Sequence, residues 1–250
     1  MLVDVHAHLD FQQFDPDRDE VIERAKRRGV RIINSGLGTT GIRKTLEIIE
    51  KHDNVYATLG LTPTEFRAEE IDATIKLIRE NREKIVGIGE VGLDYYWVKE
   101  EDKRREEVAT FKRFIGLSRE LKLPLVIHSR DAEEDVLRVL GDEGINALLH
   151  CFGGSAGLAE KAASEGHIIS IPANIANSKQ KQSVAKAVPL TSLVLETDAP
   201  YLPPTPKTRN EPVNIETTAK KIAEIKCVDL SVVEEATTRN AEKFFNLPFS

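Results

Sequence analysis

The chain has 250 residues, 40% of them apolar, and a formal net charge of −6. That length suits a single domain over residues 1–250, which a barrel of alternating strands and helices reaches without dividing. No apolar run of about eighteen residues is present to span a bilayer and the N-terminus lacks the regions of a signal peptide, so a cytoplasmic location is expected; the acidic balance argues against a broad nucleic-acid-coating surface but does not exclude phosphate substrates.

Short apolar runs alternate with amphipathic segments along the chain. LVDV near residue 2 reads as a first strand and leads into His6 and His8, two positions apart and able to converge on one ion. Asp15 before Pro16 reads as a helix cap with proline at the first helical position, and Val21, Ile22 and Ala25 supply an apolar face. VRII at 30 is the next strand, followed by a helical stripe of Ile42, Leu46 and Ile49. VYATLG at 55 precedes the stripe Ile71, Ile75 and Ile78; IVGIG at 85 precedes Val108, Phe111 and Ile115. PLVIH at 124, INALLH at 145, HIISI at 167 and LVLET at 193 complete eight short β-branched runs of the kind that form buried parallel strands. A proline-rich loop spans 200–212, and Ser231 with Glu234 suggests a capping box for a last helix through Phe245. The pattern predicts an α/β fold, a (β/α)8 TIM barrel with an extra C-terminal helix; an open doubly wound sheet is the alternative.

In that register His6 and His8 close the first strand, Glu90 the fourth, His128 the fifth, His150 the sixth and Asp198 the eighth. Such barrels carry their chemistry at the C-terminal ends of the strands, so four imidazoles and two carboxylates meet at one rim. His52, late in a helix, reads as a solvated surface residue, and His167 opens its strand at the opposite end. Cys151 and Cys227 are isolated and read as buried thiols, supporting neither a disulfide framework nor a cysteine-rich zinc module.

VDVHAHLD at 3–10, GIGEVGLDYY at 87–96, PLVIHSRDA at 124–132, LLHCFGGS at 148–155, LETDAPYL at 195–202 and RNEP at 209–212 together resemble the TatD family of metal-dependent hydrolases, within the amidohydrolase superfamily. The likeness covers nearly the whole chain. It implies two divalent ions, one held by His6, His8 and Asp198, the other by His128 and His150, with Glu90 bridging them. Imidazoles and carboxylates suit zinc, manganese, nickel or magnesium, and Glu90 makes a carbamylated lysine unnecessary. Two such ions lower the pKa of a shared water, which Asp198 would orient and deprotonate; Glu90 and Asp198 are the expected catalytic carboxylates. The resemblance implies a deoxyribonuclease trimming DNA from 3′ ends, single-stranded ends above all. An ester or amide hydrolase, such as one removing D-aminoacyl groups from tRNA, is the alternative enzyme; a metal-binding adaptor without catalysis is a third reading.

Other residues carry open alternatives. Asp4 shares strand parity with His6 and His8 but sits deeper, which suits a hydrogen bond behind the ligands. Asp10 and Asp94 suit the capping of turn amides or the orienting of ligands. Tyr95, Tyr96 and Trp97 suit stacking on a base or anchoring a loop. Arg130 is in reach of a substrate phosphate or of Asp131 and Glu134. Lys207 and Arg209 add positive charge to the proline-rich loop, either for substrate or for solvent. Two departures from the family pattern stand out: Thr62 in GLTP replaces a histidine before proline, and at the seventh strand ISIPANIANS lacks the Thr-Phe-Lys arrangement that many members have after a glycine there. Threonine cannot supply an imidazolium, so Thr62 bears on substrate choice.

Overall fold

The computed structural model describes residues 1–247. Strands β1 (Leu2–Ala7), β2 (Val30–Leu37), β3 (Val55–Gly60), β4 (Gly87–Asp94), β5 (Leu125–Arg130), β6 (Leu148–Leu149), β7 (Ile168–Ile171) and β8 (Leu193–Leu195) are joined by helical crossovers. All neighbours pair in parallel and β8 returns to β1, closing the barrel in chain order. Around it lie α1 (Arg18–Arg27), α2 (Gly38–Lys51), α3 (Ala68–Glu80), α4 (Glu101–Leu121), α5 (Glu133–Glu143), α6 (Ala156–Ser164), α7 (Lys179–Ala187) and α8 (Ile215–Lys226). The extra helix, α9 (Leu230–Phe245), follows the last crossover. Among the described residues no helix is long and apolar enough to cross a membrane.

Val3 and Val5 of β1, Ile33 of β2, Val126 of β5, Leu148 of β6 and Val194 of β8 form one buried cluster. Side chains from opposite walls of a closed barrel touch only inside it, so these residues fill the interior. Ala241 and Phe245 of α9 join the same cluster, which puts the extra helix across the N-terminal end of the barrel. Ile32, Leu59, Ile88, Ile127, Ile169 and Leu195 point the other way, into the layer shared with the helices. The polar rim therefore lies at the C-terminal end, opposite α9.

Two strands break strict alternation where the site emerges. Val5 faces inward, yet His6 does too, because the β1–β2 register shifts between Asp4 and Ala7. In β4 the register shifts between Ile88 and Val91, both outward-facing, and Glu90 turns inward between them. Such irregularities re-aim a side chain without disturbing the barrel around it. The parity expected to link Asp4 with His6 is thus broken, and Glu90 lies inside β4, which runs on to Asp94.

Local expectations also shift. Residues 12–14 form a 3-10 turn and α1 starts at Arg18 after Asp17, while Asp15, expected as the cap, pairs with Lys44 at 2.7 Å. Tertiary charge pairing outweighs the local capping signal. The buried stripe of α2 is Ile42, Thr45 and Ile48, with Leu46 and Ile49 at its edge. The last helix starts at Leu230 with Asp229 in the cap position, so Ser231 already lies inside it. Cys227 is exposed at the left-handed end of α8, and Cys151 is only partly covered, although burial pushes its thiol up to about 11. His52 is not simply solvated, since its ring bonds Asp19 at 2.9 Å. His167 is buried at the start of β7 and its Nδ1 accepts the Ala147 amide.

Candidate metal centre

Inward parity on β5 and beyond β6 and β8 carries His128, His150, Glu196 and Asp198 to the mouth above Val126, Leu148 and Val194. His6, His8 and Glu90 join them from the two irregular strands. The Glu90 carboxylate lies between two imidazole sets. Its Oε1 contacts His128 Nδ1 and lies 3.2 Å from His150 Nε2; its Oε2 lies 3.3 Å from His6 Nε2 and 3.7 Å from His8 Nε2. Asp198 Oδ1 is 3.5 Å from His8 Nε2 and 4.0 Å from His6 Nε2. Ligand atoms of His6, Glu90 and His150, and of His6, His8 and Asp198, fall within 4.8 Å of one another. His6 thus belongs to both groups, whereas the expected division assigned it to one ion.

In three of the four imidazoles the ring nitrogen pointing away from this cluster is held from behind. His8 Nδ1 bonds the Ser35 carbonyl at 3.1 Å, His128 Nε2 bonds Asp94 Oδ2 at 3.0 Å, and His150 Nδ1 bonds Glu196 Oε2 at 3.3 Å. A ring nitrogen donating outward leaves its other nitrogen a lone pair facing the centre. Asp94 also accepts the Trp97 amide, so it caps a turn and orients His128 at once. Asp4 lies further back, accepting the Thr197 amide at 2.8 Å and its hydroxyl at 2.6 Å, which ties β1 to the segment carrying Asp198. Asp10 accepts from Asn34 Nδ2 at 3.0 Å.

Glu196, Glu107, Ser35 and Thr197 were not singled out from sequence. The two-residue spacing of Val194, Glu196 and Asp198 was the signal for Glu196. Nothing local marked Glu107 of α4, a buried carboxylate that accepts the Asp94 amide at 3.2 Å and is pushed up to about 7 by burial.

The charge balance shows what the site fits. Burial opposes ionisation of Glu90 and Asp198, yet His150 and His128 hold the Glu90 carboxyl well below the usual range, and His8 lowers that of Asp198. In return the carboxylates overcome burial and raise His8 and His128 to about 9 and His150 well above its ordinary value. His6, most influenced by burial, moves down. These carboxylates demand positive charge, which protons supply in the protein alone and divalent ions displace on binding. His6 Nε2 faces His8 Nε2 at 3.2 Å, and His6 Nδ1 is buried without a hydrogen-bond partner. Two imidazole nitrogens aimed at one point, beside carboxylate oxygens, form a donor set that fits divalent cations.

The tentative substrate residues have different surroundings. Arg130 forms no ion pair with Asp131 or Glu134; its guanidinium stacks over Tyr96 at 3.8 Å from the ring centroid. Thr62 is exposed after β3, with its hydroxyl 3.1 Å from that of Thr64, and the neighbouring Leu61 amide bonds the Glu90 carbonyl at 2.9 Å. Arg209 is engaged by Asp17 at 2.7 Å, Glu211 at 3.0 Å and the Gln13 carbonyl at 2.8 Å, while Lys207 is exposed.

The family model described as TatD related DNase matches residues 3–246. The chain is 40% identical to YabD of Bacillus subtilis, described as an uncharacterized metal-dependent hydrolase, over 99% of this chain and 100% of that one. It is 35% identical to the human protein named deoxyribonuclease TATDN3, over 98% of this chain and 94% of that one. The crystal structure of YJJV, a TatD homolog from Escherichia coli, superposes with a TM-score of 0.88 at 26% identity, covering 99% and 98% of the two chains.

Proposed function

The chain belongs to the TatD-related DNase family of metal-dependent hydrolases, and we propose that it is a deoxyribonuclease that hydrolyses phosphodiester bonds at DNA 3′ ends with two divalent ions. The observation that carries this reading is Glu90, one oxygen of which faces His128 and His150 while the other faces His6 and His8. His6, His8 and Asp198 would hold one ion and His128 and His150 the other, with Glu90 joining them. When bound, such a pair readies a water for attack and neutralises charge developing on the phosphate.

The protein's own groups do the rest. Asp198 orients the attacking water by a hydrogen bond and accepts its proton, a role open to a carboxylate kept ionised by His8. Ser35, Asp94 and Glu196 hold the ring planes of His8, His128 and His150, so the donors need no reorganisation as charge develops. Arg130, which forms no ion pair among the described residues although its charge helps to keep Asp94 ionised, takes a phosphate oxygen. Thr62, exposed after β3 where the family pattern has a histidine, cannot supply an imidazolium, which leaves leaving-group protonation to water. Arg209 contributes by holding the proline-rich loop and reaches substrate only by leaving Asp17 and Glu211.

The test offers 5′-labelled single-stranded DNA, D-aminoacyl-tRNA and small carboxyl esters to the metal-loaded protein. A ladder shortening from the 3′ end, abolished by chelation and restored by divalent ions, is expected. Glu90→Gln should lower the rate by roughly 100-fold or more. Deacylation of the tRNA without DNA cleavage selects the ester or amide hydrolase, and inertness toward all three at full metal content selects the adaptor.

A further inference from the structure

The large aromatic side chains exposed among the described residues are Tyr96 and Trp97, 43% and 66% exposed, and Tyr201, 48% exposed. All three follow the C-terminal end of a strand: Tyr96 and Trp97 come after β4, Tyr201 after β8. Those strands lie opposite one another in the eight-membered ring, so the aromatics flank the metal centre from both sides. Exposed rings concentrated around a catalytic mouth, with none elsewhere among the described residues, mark a binding surface.

Each side is tied to the centre. Asp94, which holds His128, also accepts the Trp97 amide at 3.0 Å. Trp97 meets Tyr96 edge to face at 4.9 Å, and the guanidinium of Arg130, two residues beyond His128 on the same inward face, lies over the Tyr96 ring. Opposite, Phe11 stacks on His8 at 4.6 Å, and Tyr201 meets Phe11 edge to face at 6.1 Å. Beside Tyr96 stand two cations that form no ion pair with a carboxylate among the described residues: Arg130, whose guanidinium lies over the ring, and Lys99, whose Nζ is 5.4 Å from its centroid. On a protein of net charge −6 these two cations put positive charge directly beside the exposed rings of Tyr96 and Trp97. Flat apolar faces beside fixed positive charge match unpaired bases joined by phosphates, because every base has a stackable face. A duplex offers its base faces only at its end.

We propose that Trp97 and Tyr201 are stacking platforms for the unpaired bases on either side of the reacting phosphodiester, with Tyr96 holding the Arg130 guanidinium over its ring as a positioning contact. This deepens the nuclease reading and rests on it for the position of the phosphate. The rings read the presence of a base rather than its identity.

Trp97 is the sole tryptophan of the chain, so its fluorescence reports on one platform. The metal-loaded protein is mixed by stopped flow with an eight-residue oligothymidylate, and with the same oligomer carrying abasic tetrahydrofuran residues at its last two positions. Quenching by the first and not the second is expected, with kcat/KM at least about fivefold higher for the first. In Trp97→Ala and Tyr201→Ala that ratio should fall toward one, through KM more than kcat. Equal rates for both oligomers without quenching overturn the platforms and leave the nuclease reading standing. Base-dependent quenching without cleavage keeps the platforms and removes the nuclease reading, and neither signal overturns both.

Discussion

Glu107→Gln separates the cost of a buried charge from everything else near the centre. Glu107 accepts the Asp94 amide through Oε1, and its Oε2 is buried with no hydrogen-bond partner. Burial raises its folded-state pKa from 4.5 to about 7. The sign follows from proton counting: below pH 4.5 the carboxyl is protonated folded or unfolded and adds no penalty. Between 4.5 and about 7 the unfolded chain releases its proton first, so stability falls as pH rises, and above 7 the full penalty of about 3 kcal/mol is present. Glutamine keeps the acceptor for the Asp94 amide but cannot ionise. Its amide nitrogen is left without a partner at roughly 1–3 kcal/mol, a cost independent of pH. The stability of Glu107→Gln relative to the parent should therefore climb by about 3 kcal/mol between pH 4 and pH 8, whatever its starting offset. That gain corresponds to a Tm difference growing by on the order of 6–12 °C for a chain of this size. Urea denaturation of both proteins across that range, with chelator present throughout so that metal linkage cancels, provides the measurement. Parallel curves with a constant gap would refute the reasoning.

Three further outcomes are expected. Glu196→Gln, which alters the group behind His150, should weaken divalent-ion affinity by about 10- to 100-fold in a chelator competition while the far-UV spectrum is retained; unchanged affinity would release His150 from this support. Gly60→Ala places a Cβ 2.3 Å from the Glu90 carbonyl oxygen and should destabilise the protein by several kcal/mol, read from the urea midpoint, because both backbones are in the barrel wall. Thr62→His should raise phosphodiester cleavage and leave metal content unchanged, and an unaltered rate on DNA would show that the missing imidazole is not limiting.

The alternation of apolar runs with helical stripes narrowed the fold to a parallel barrel or an open doubly wound sheet, because strand and helix periods are local; the pairing of β8 with β1 decided for the barrel. The identities of His6, His8, Glu90, His128, His150 and Asp198 were legible for a similar reason: imidazoles and carboxylates at strand ends are conspicuous against buried neighbours. The facing of His6 and Glu90 was not legible. Strict alternation sends Val5 and His6 to opposite faces, and only the register shifts on β1 and β4 turn His6 and Glu90 inward. Partners distant in the chain were equally hidden, since Glu196 behind His150, Glu107 behind Asp94 and Tyr96 beneath Arg130 depend on which elements become neighbours after the barrel closes. Composition and spacing determine which donors this protein owns; the pairing of strands and helices decides where each one points, because hydrogen-bond register between segments is a property of the closed sheet and of no single segment.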